Sequence, residues 1–96
     1  MTRIKIKSLI WNEWNIEHIK KHGVLIHEGE EAGQNIIYHR KSKKNRFLAV
    51  GRSGDRMVSL IIRRIESTKY FLVTARDASK KERKIVYEKD SRKRGV

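Results

Sequence analysis

The 96-residue chain contains neither cysteine nor proline. The first absence excludes a disulfide framework and a thiolate metal site, so the fold must rest on its packed core. The second, together with the lack of repeats or low-complexity stretches, leaves no sign of a linker or domain boundary before the tail. Long apolar runs are missing as well. Nothing approaches the roughly 18 to 20 residues of a membrane span, and the opening MTRIKIKSLIW alternates bases with apolar residues instead of building a signal peptide's apolar block. A soluble, cytoplasmic chain is expected. Aromatic residues are few, and with several expected in the core, little is left for stacking on bases. Acidic residues are scarce too: 11 Asp and Glu face 24 Lys and Arg, a formal net charge of +13. That excess calls for a polyanionic partner, either nucleic acid or an acidic protein that masks the positive surface. The bases are spread through every segment instead of lining one amphipathic helix, which argues against a membrane surface.

The length suits a single domain, taken as residues 1–90 with a frayed basic tail over 91–96. A short strand is expected at Arg3 to Lys7. NEWNIEHIKKHG reads as a helix, with Asn12 as cap, Trp14 packing near Ile16 and Ile19, Lys20 and Lys21 at the negative end, and Gly23 as the stop. IHEGEEAG predicts a weaker helix, interrupted by Gly29 and lacking a good N-cap. From residue 35 the pattern changes to strands: NIIYHR, RFLAVGR, MVSLIIRR and KYFLVTAR, rich in β-branched and aromatic residues. Connections as short as Ser53-Gly54-Asp55 imply an antiparallel meander. A capping box, Ser79 with Glu82, opens a last helix that turns Ile85 and Val86 toward the sheet. The plan is α+β: one antiparallel sheet of about four strands, with two helices before it and one after.

In a meander the ends of the second and fourth strands share one edge, which brings Arg52 and Arg76 together. Two permanently charged, planar forks suit a phosphate and the extra charge it gains during transfer. The plainer alternative is that each arginine pairs with a carboxylate such as Asp77 or Asp55. His18 and His22 have helix-face spacing, but no HExxH carboxylate accompanies them, and His27 and His39 lie in other segments, so no metal site and no cofactor is assigned.

WNEWNIEHIKKHGV, RFLAVGRS, and FLVTAR followed by ASKKERKIVYE, in this order and at these spacings, resemble the BrnT family of toxins from bacterial type II toxin–antitoxin modules. The resemblance covers nearly the whole chain. It implies a RelE-like fold, metal-independent RNA cleavage that inhibits translation, and a ribbon-helix-helix antitoxin of the BrnA kind forming a hetero-oligomer with the toxin. By motif position it marks Arg52 and Arg76 as functional arginines. His22, with Lys20 and Lys21, would complete a basic site, and Lys80 and Arg83 would join the RNA-binding set. His22 is equally readable as a helix C-cap. Tyr87 is read as a core residue, with proton transfer beside the arginines as its alternative role. Arg63-Arg64 stands where many relatives carry His-Thr or an acidic pair, so no histidine role is taken from that strand.

The chemistry implied is transfer of the RNA's own 2′-hydroxyl onto the adjacent phosphate, leaving a 2′,3′-cyclic phosphate and a 5′-hydroxyl. DNA lacks that nucleophile. With few stacking residues, free RNA is expected to be held mainly through phosphates and released as salt rises. Two other classes fit the charge: a nucleic-acid-binding module without cleavage, and a partner protein whose basic face meets only an acidic antitoxin.

Overall fold

The computed structural model describes residues 4–93, with side chains up to residue 89. In chain order the elements are β1 (Ser8–Ile10), α1 (Glu13–Lys21), α2 (Ile26–Gln34), β2 (Ile36–Lys41), β3 (Arg46–Ser53), β4 (Arg56–Arg64), β5 (Lys69–Asp77) and α3 (Lys80–Lys93). The expected tail, 91–96, lies at and beyond this limit: the helix runs to Lys93, and 94–96 fall outside the described residues.

Residues Ile36 to Asp77 form the expected antiparallel meander, β2-β3-β4-β5. The N-terminal strand is real but displaced. Pairing begins where β5 begins, with Ser8 opposite Lys69, so the strand is Ser8–Ile10 and runs parallel to β5; of the expected Arg3 to Lys7, residues 4–7 precede it and Arg3 lies outside the described residues. The sheet is therefore mixed and has five strands in the order β1-β5-β4-β3-β2. Ile4 and Ile6, expected within that strand, pack into the core ahead of it.

Strand alternation divides the apolar residues between two faces. Ala49, Val58, Leu60, Ile62, Tyr70 and Leu72 join Ile19, Val24 and Ala32 under α1 and α2. Leu48, Val50 and Met57 join Ala78 and Val86 at α3.

The first helix ends as its sequence dictates. Asn12 and Asn15 exchange side-chain and backbone hydrogen bonds at 2.9 and 2.8 Å, a reciprocal N-terminal cap. At the other end His22 is the C-cap, and Gly23 takes φ +75°, so that its N–H and that of Val24 reach the carbonyls of Lys20 and Ile19. Trp14 departs from expectation, being 56% exposed rather than packed on Ile16 and Ile19. The buried residue beside it is Asn15, whose amide donates to Ile10 O and Leu72 O and ties α1 to β1 and β5.

α2 is a full nine residues despite its glycines. Gly29, Ala32 and Gly33 form its buried side, and their small size lets the helix lie close to the sheet. At Gly51 of β3 a Cβ would collide with the Ala32 carbonyl. The missing N-cap is replaced by Glu28, whose carboxylate accepts the Leu25 N–H at 2.9 Å. None of the helices, within the described residues, is long and apolar enough to cross a membrane.

Candidate active site at the arginine edge

The C-terminal ends of β3 and β5 and the start of β4 meet at one end of the sheet. Arg52 lies opposite Met57, and Arg76 opposite Ser59. Arg52 follows the alternation of Leu48 and Val50 and so shares the α3 face with Arg76. One strand, β4, lies between them, which sets their backbones roughly 10 Å apart laterally. Their partners on β4, Met57 and Ser59, are two residues apart, so the pair is also staggered by roughly 7 Å along the strands. The Arg52 backbone is fixed by Asn35, which accepts its N–H at 3.3 Å and donates to its carbonyl at 3.4 Å.

Arg76 is ion-paired, but not with the carboxylate its sequence neighbourhood offers. Its Nη1 and Nη2 donate to Glu82 at 2.9 and 3.0 Å in a two-pronged bridge, and Nη1 also reaches Asp77 O at 3.0 Å. Glu82 makes three further hydrogen bonds with two partners: Ser59 Oγ donates at 2.7 Å and Ser79 N at 2.8 Å, while Glu82 N donates back to Ser79 Oγ at 3.2 Å. The capping box expected at the start of α3 is thus also the anchor of Arg76. Burial by itself would raise the Glu82 carboxyl; the hydrogen bonds from Arg76, Ser79 and Ser59 outweigh it and hold the group at about 2. So acidic and so fully occupied a carboxylate is a poor proton acceptor. It serves to position Arg76, whose own pKa is raised by the bond to Glu82. Three N–H bonds leave two of the five guanidinium donors on a side chain that is 42% exposed.

Asp77 belongs to the other face and to Arg56, a residue to which the sequence drew no notice. Arg56 Nε donates to Asp77 at 2.6 Å, and Nη1 donates to Glu28 at 2.9 Å and to Gly23 O at 2.8 Å. This one side chain joins β4, β5, the start of α2 and the turn after α1. Its pKa is raised by Asp77 first and Glu28 second. Asp77 is held low by Arg56, and Glu28 by the Leu25 N–H and then by Arg56.

The remaining candidates are dispersed. His22, Lys20 and Lys21 are exposed at the end of α1, linked to this end of the sheet through Gly23 and Arg56, but on the α1–α2 side. The His22 ring makes an edge contact with His18 at 5.4 Å, and His18 stacks on Trp14 at 5.0 Å. Lys80 and Arg83 are exposed in the first turns of α3, beside Glu82. Tyr87 is not a core residue: it is 57% exposed, because Val86 takes the sheet-facing position. Sequence reasoning missed Glu82 and Ser59 as the support of Arg76, although the capping box had already placed Glu82 at the helix start.

These features define a small α+β protein with three helices and a mixed five-stranded sheet, a fold it shares with a BrnT toxin. One similar solved structure is the crystal structure of the Brucella abortus ribonuclease toxin BrnT. The two share 24% identity with a TM-score of 0.59, over 81% of this chain and 100% of that one. No family model matches the sequence, and no curated protein matches it at a significant level.

Proposed function

We propose that the chain is a metal-independent endoribonuclease, the toxin of a type II toxin–antitoxin pair, which inhibits translation in the cytoplasm by cleaving RNA. The observation that carries this is the placement of Arg52 and Arg76 on one face at one end of the sheet. The likeness to a ribonuclease toxin over that protein's full length supports it. Arg76, aimed by Glu82 and Ser59, and Arg52, aimed by Asn35, stabilise the charge that grows on the phosphate as the 2′-hydroxyl attacks. Lys80 and Arg83, at the same end of α3, hold flanking phosphates. Lys20 and Lys21 extend the positive surface around the end of α1. Tyr87, exposed on α3, is the candidate for moving a hydroxyl or leaving-group proton, and His22, on the α1–α2 side, takes that role only where the RNA wraps around the end of the sheet. A ribbon-helix-helix antitoxin with an acidic segment covers the arginine edge and forms a hetero-oligomer with the toxin.

The test is incubation of the purified protein with RNA and with DNA of matching sequence in EDTA. RNA should be cut to fragments ending in 2′,3′-cyclic phosphate and 5′-hydroxyl, while DNA stays intact. Equal cutting of both, or of neither, overturns the proposal. A second reading, binding without cleavage, is favoured by one observation: Glu82 already neutralises Arg76. It predicts RNA retention with no fragments.

A further inference from the structure

The positive charge is unevenly placed. Residues 12–35, covering α1 and α2, hold five glutamates against Lys20 and Lys21, a net −3, so the rest of the chain carries +16. Part of that charge follows a continuous path away from the arginine edge. A cleft of about 330 Å³ between β2 and α3 is lined by Tyr38, Arg40, Ser79, Lys81, Glu82 and Ile85. At one end it reaches Glu82, the anchor of Arg76; at the other it reaches Arg40, next to the last residue of β2. Beyond Arg40 comes the β2–β3 hairpin, with Lys41, Lys43, Lys44 and Arg46.

Two features of this hairpin end are costly to the folded chain. The turn is closed by Arg46 N to Lys43 O at 3.2 Å, and both central residues, Lys44 and Asn45, are left-handed at φ 56° and 60°. Folding alone favours asparagine or glycine in such a turn, and Lys44 is neither. Next to it, Arg46 stands directly opposite Arg63 across the ladder, where like charges repel. No ion pair among the described residues involves Lys41, Lys43, Lys44, Arg46 or Arg63. A bound polyanion relieves the repulsion between Arg46 and Arg63 and gives the lysine held in that turn a counter-charge.

We propose that the β2–α3 cleft and the β2–β3 hairpin form a track for single-stranded RNA leading from the Arg52 and Arg76 edge. This rests on the ribonuclease reading above. Tyr38 and Ile85 are the apolar lining of the cleft, and the hairpin beyond it carries Lys41, Lys43, Lys44 and Arg46 with no large aliphatic side chain among them. Nucleic-acid interfaces are likewise polar and strongly positive, whereas protein interfaces are depleted of charge at their core. A cleft of about 330 Å³ has no room for a duplex. Arg46 lies roughly 20 Å along β3 from Arg52, so the strand runs several nucleotides beyond the scissile phosphate.

The test combines Lys44→Asn, which suits the left-handed turn, with Arg46→Gln and Arg63→Gln. The probe is a labelled, uncleavable 2′-O-methyl RNA of about 12 nucleotides, titrated across a salt series. Affinity should fall on the order of tenfold, and the log–log salt slope should lessen by about 2 as three phosphate contacts are lost. Melting temperature and cleavage of a trinucleotide, too short to reach the hairpin, should not fall. Unchanged affinity and slope in the folded variant overturn the track while leaving the nuclease reading intact. So does a variant that keeps RNA affinity but loses an acidic protein partner. If the unaltered protein neither binds this RNA nor cuts RNA, the functional reading fails and the track fails with it.

Discussion

Arg56 and Arg76 leave the same end of the sheet on opposite faces, and each is ion-paired, yet their surroundings differ. Arg56 is the more enclosed, with 27% of its side chain exposed, and it spends its donors on two carboxylates and a carbonyl drawn from three other segments. Arg76 is 42% exposed, is held by one carboxylate and keeps donors for an incoming group. The first ties segments together; the second is anchored at one point and keeps donors open. That each is ion-paired would class them alike, whereas the two salt bridges of Arg56 against the one of Arg76, the number of segments joined and the donors left over separate them.

That contrast can be broken most directly by exchanging the losses. Arg76→Ala should reduce RNA cleavage about 100- to 1,000-fold, relieve growth arrest in a bacterium expressing the protein alone, and cost about 2–3 kcal/mol in urea unfolding, because Glu82 stays buried without its cation. Arg56→Ala should spare cleavage, which stays within about threefold per folded molecule. It leaves Glu28 and the exposed Asp77 without their cation and should cost about 1–2 kcal/mol. A folded Arg76→Ala protein of full toxicity would remove that arginine from the mechanism.

Acid provides a finer probe. Glu82 has a folded pKa of about 2, below its ordinary 4.5. Its contribution is therefore fully present above the ordinary value and is lost as pH falls toward 2, on the order of 2–3 kcal/mol over that window. Asp77 and Glu28 are also lowered and add acid sensitivity in the same direction. Glu82→Gln should flatten the Arg76 side of this dependence and leave the Arg56 side, as read from unfolding midpoints at successive pH values. The smallest effect is expected at Tyr87: exposed as it is, Tyr87→Phe should change stability by less than about 0.5 kcal/mol. A loss of cleavage in that folded variant would give its hydroxyl the proton-transfer role.

Local signals in the sequence were legible wherever a residue acts on its own neighbourhood. Asn12 and Gly23 bound the first helix, Ser79 and Glu82 open the last, and the short connections produce the meander. Arg52 and Arg76 reach the same edge because antiparallel order forces them there. Errors arose where a contact spans the fold. The plainer alternative, a carboxylate such as Asp77 for Arg76, rests on adjacency, but neighbours in a strand point to opposite faces, so Asp77 meets Arg56 and Arg76 finds Glu82. Gly29 reads as a weakness because its use, making room for the Trp11 ring, depends on a partner distant in the chain. The first strand slid to Ser8–Ile10 because its register is set by β5.

The pairing of β1 with β5 also governs when the fold can be completed during synthesis. Ser8 must find Lys69, and Asn15 must reach the Leu72 carbonyl, so the N-terminal segment waits for nearly all of the sheet to emerge from the ribosome. Closing a loop of that size carries an entropic cost that local contacts do not repay, and chains dominated by such pairings fold slowly. Arg76 becomes oriented later still, since Glu82 lies beyond β5 and must enter α3 to hold it. A nascent chain therefore carries its positive charge well before it possesses an aligned arginine edge.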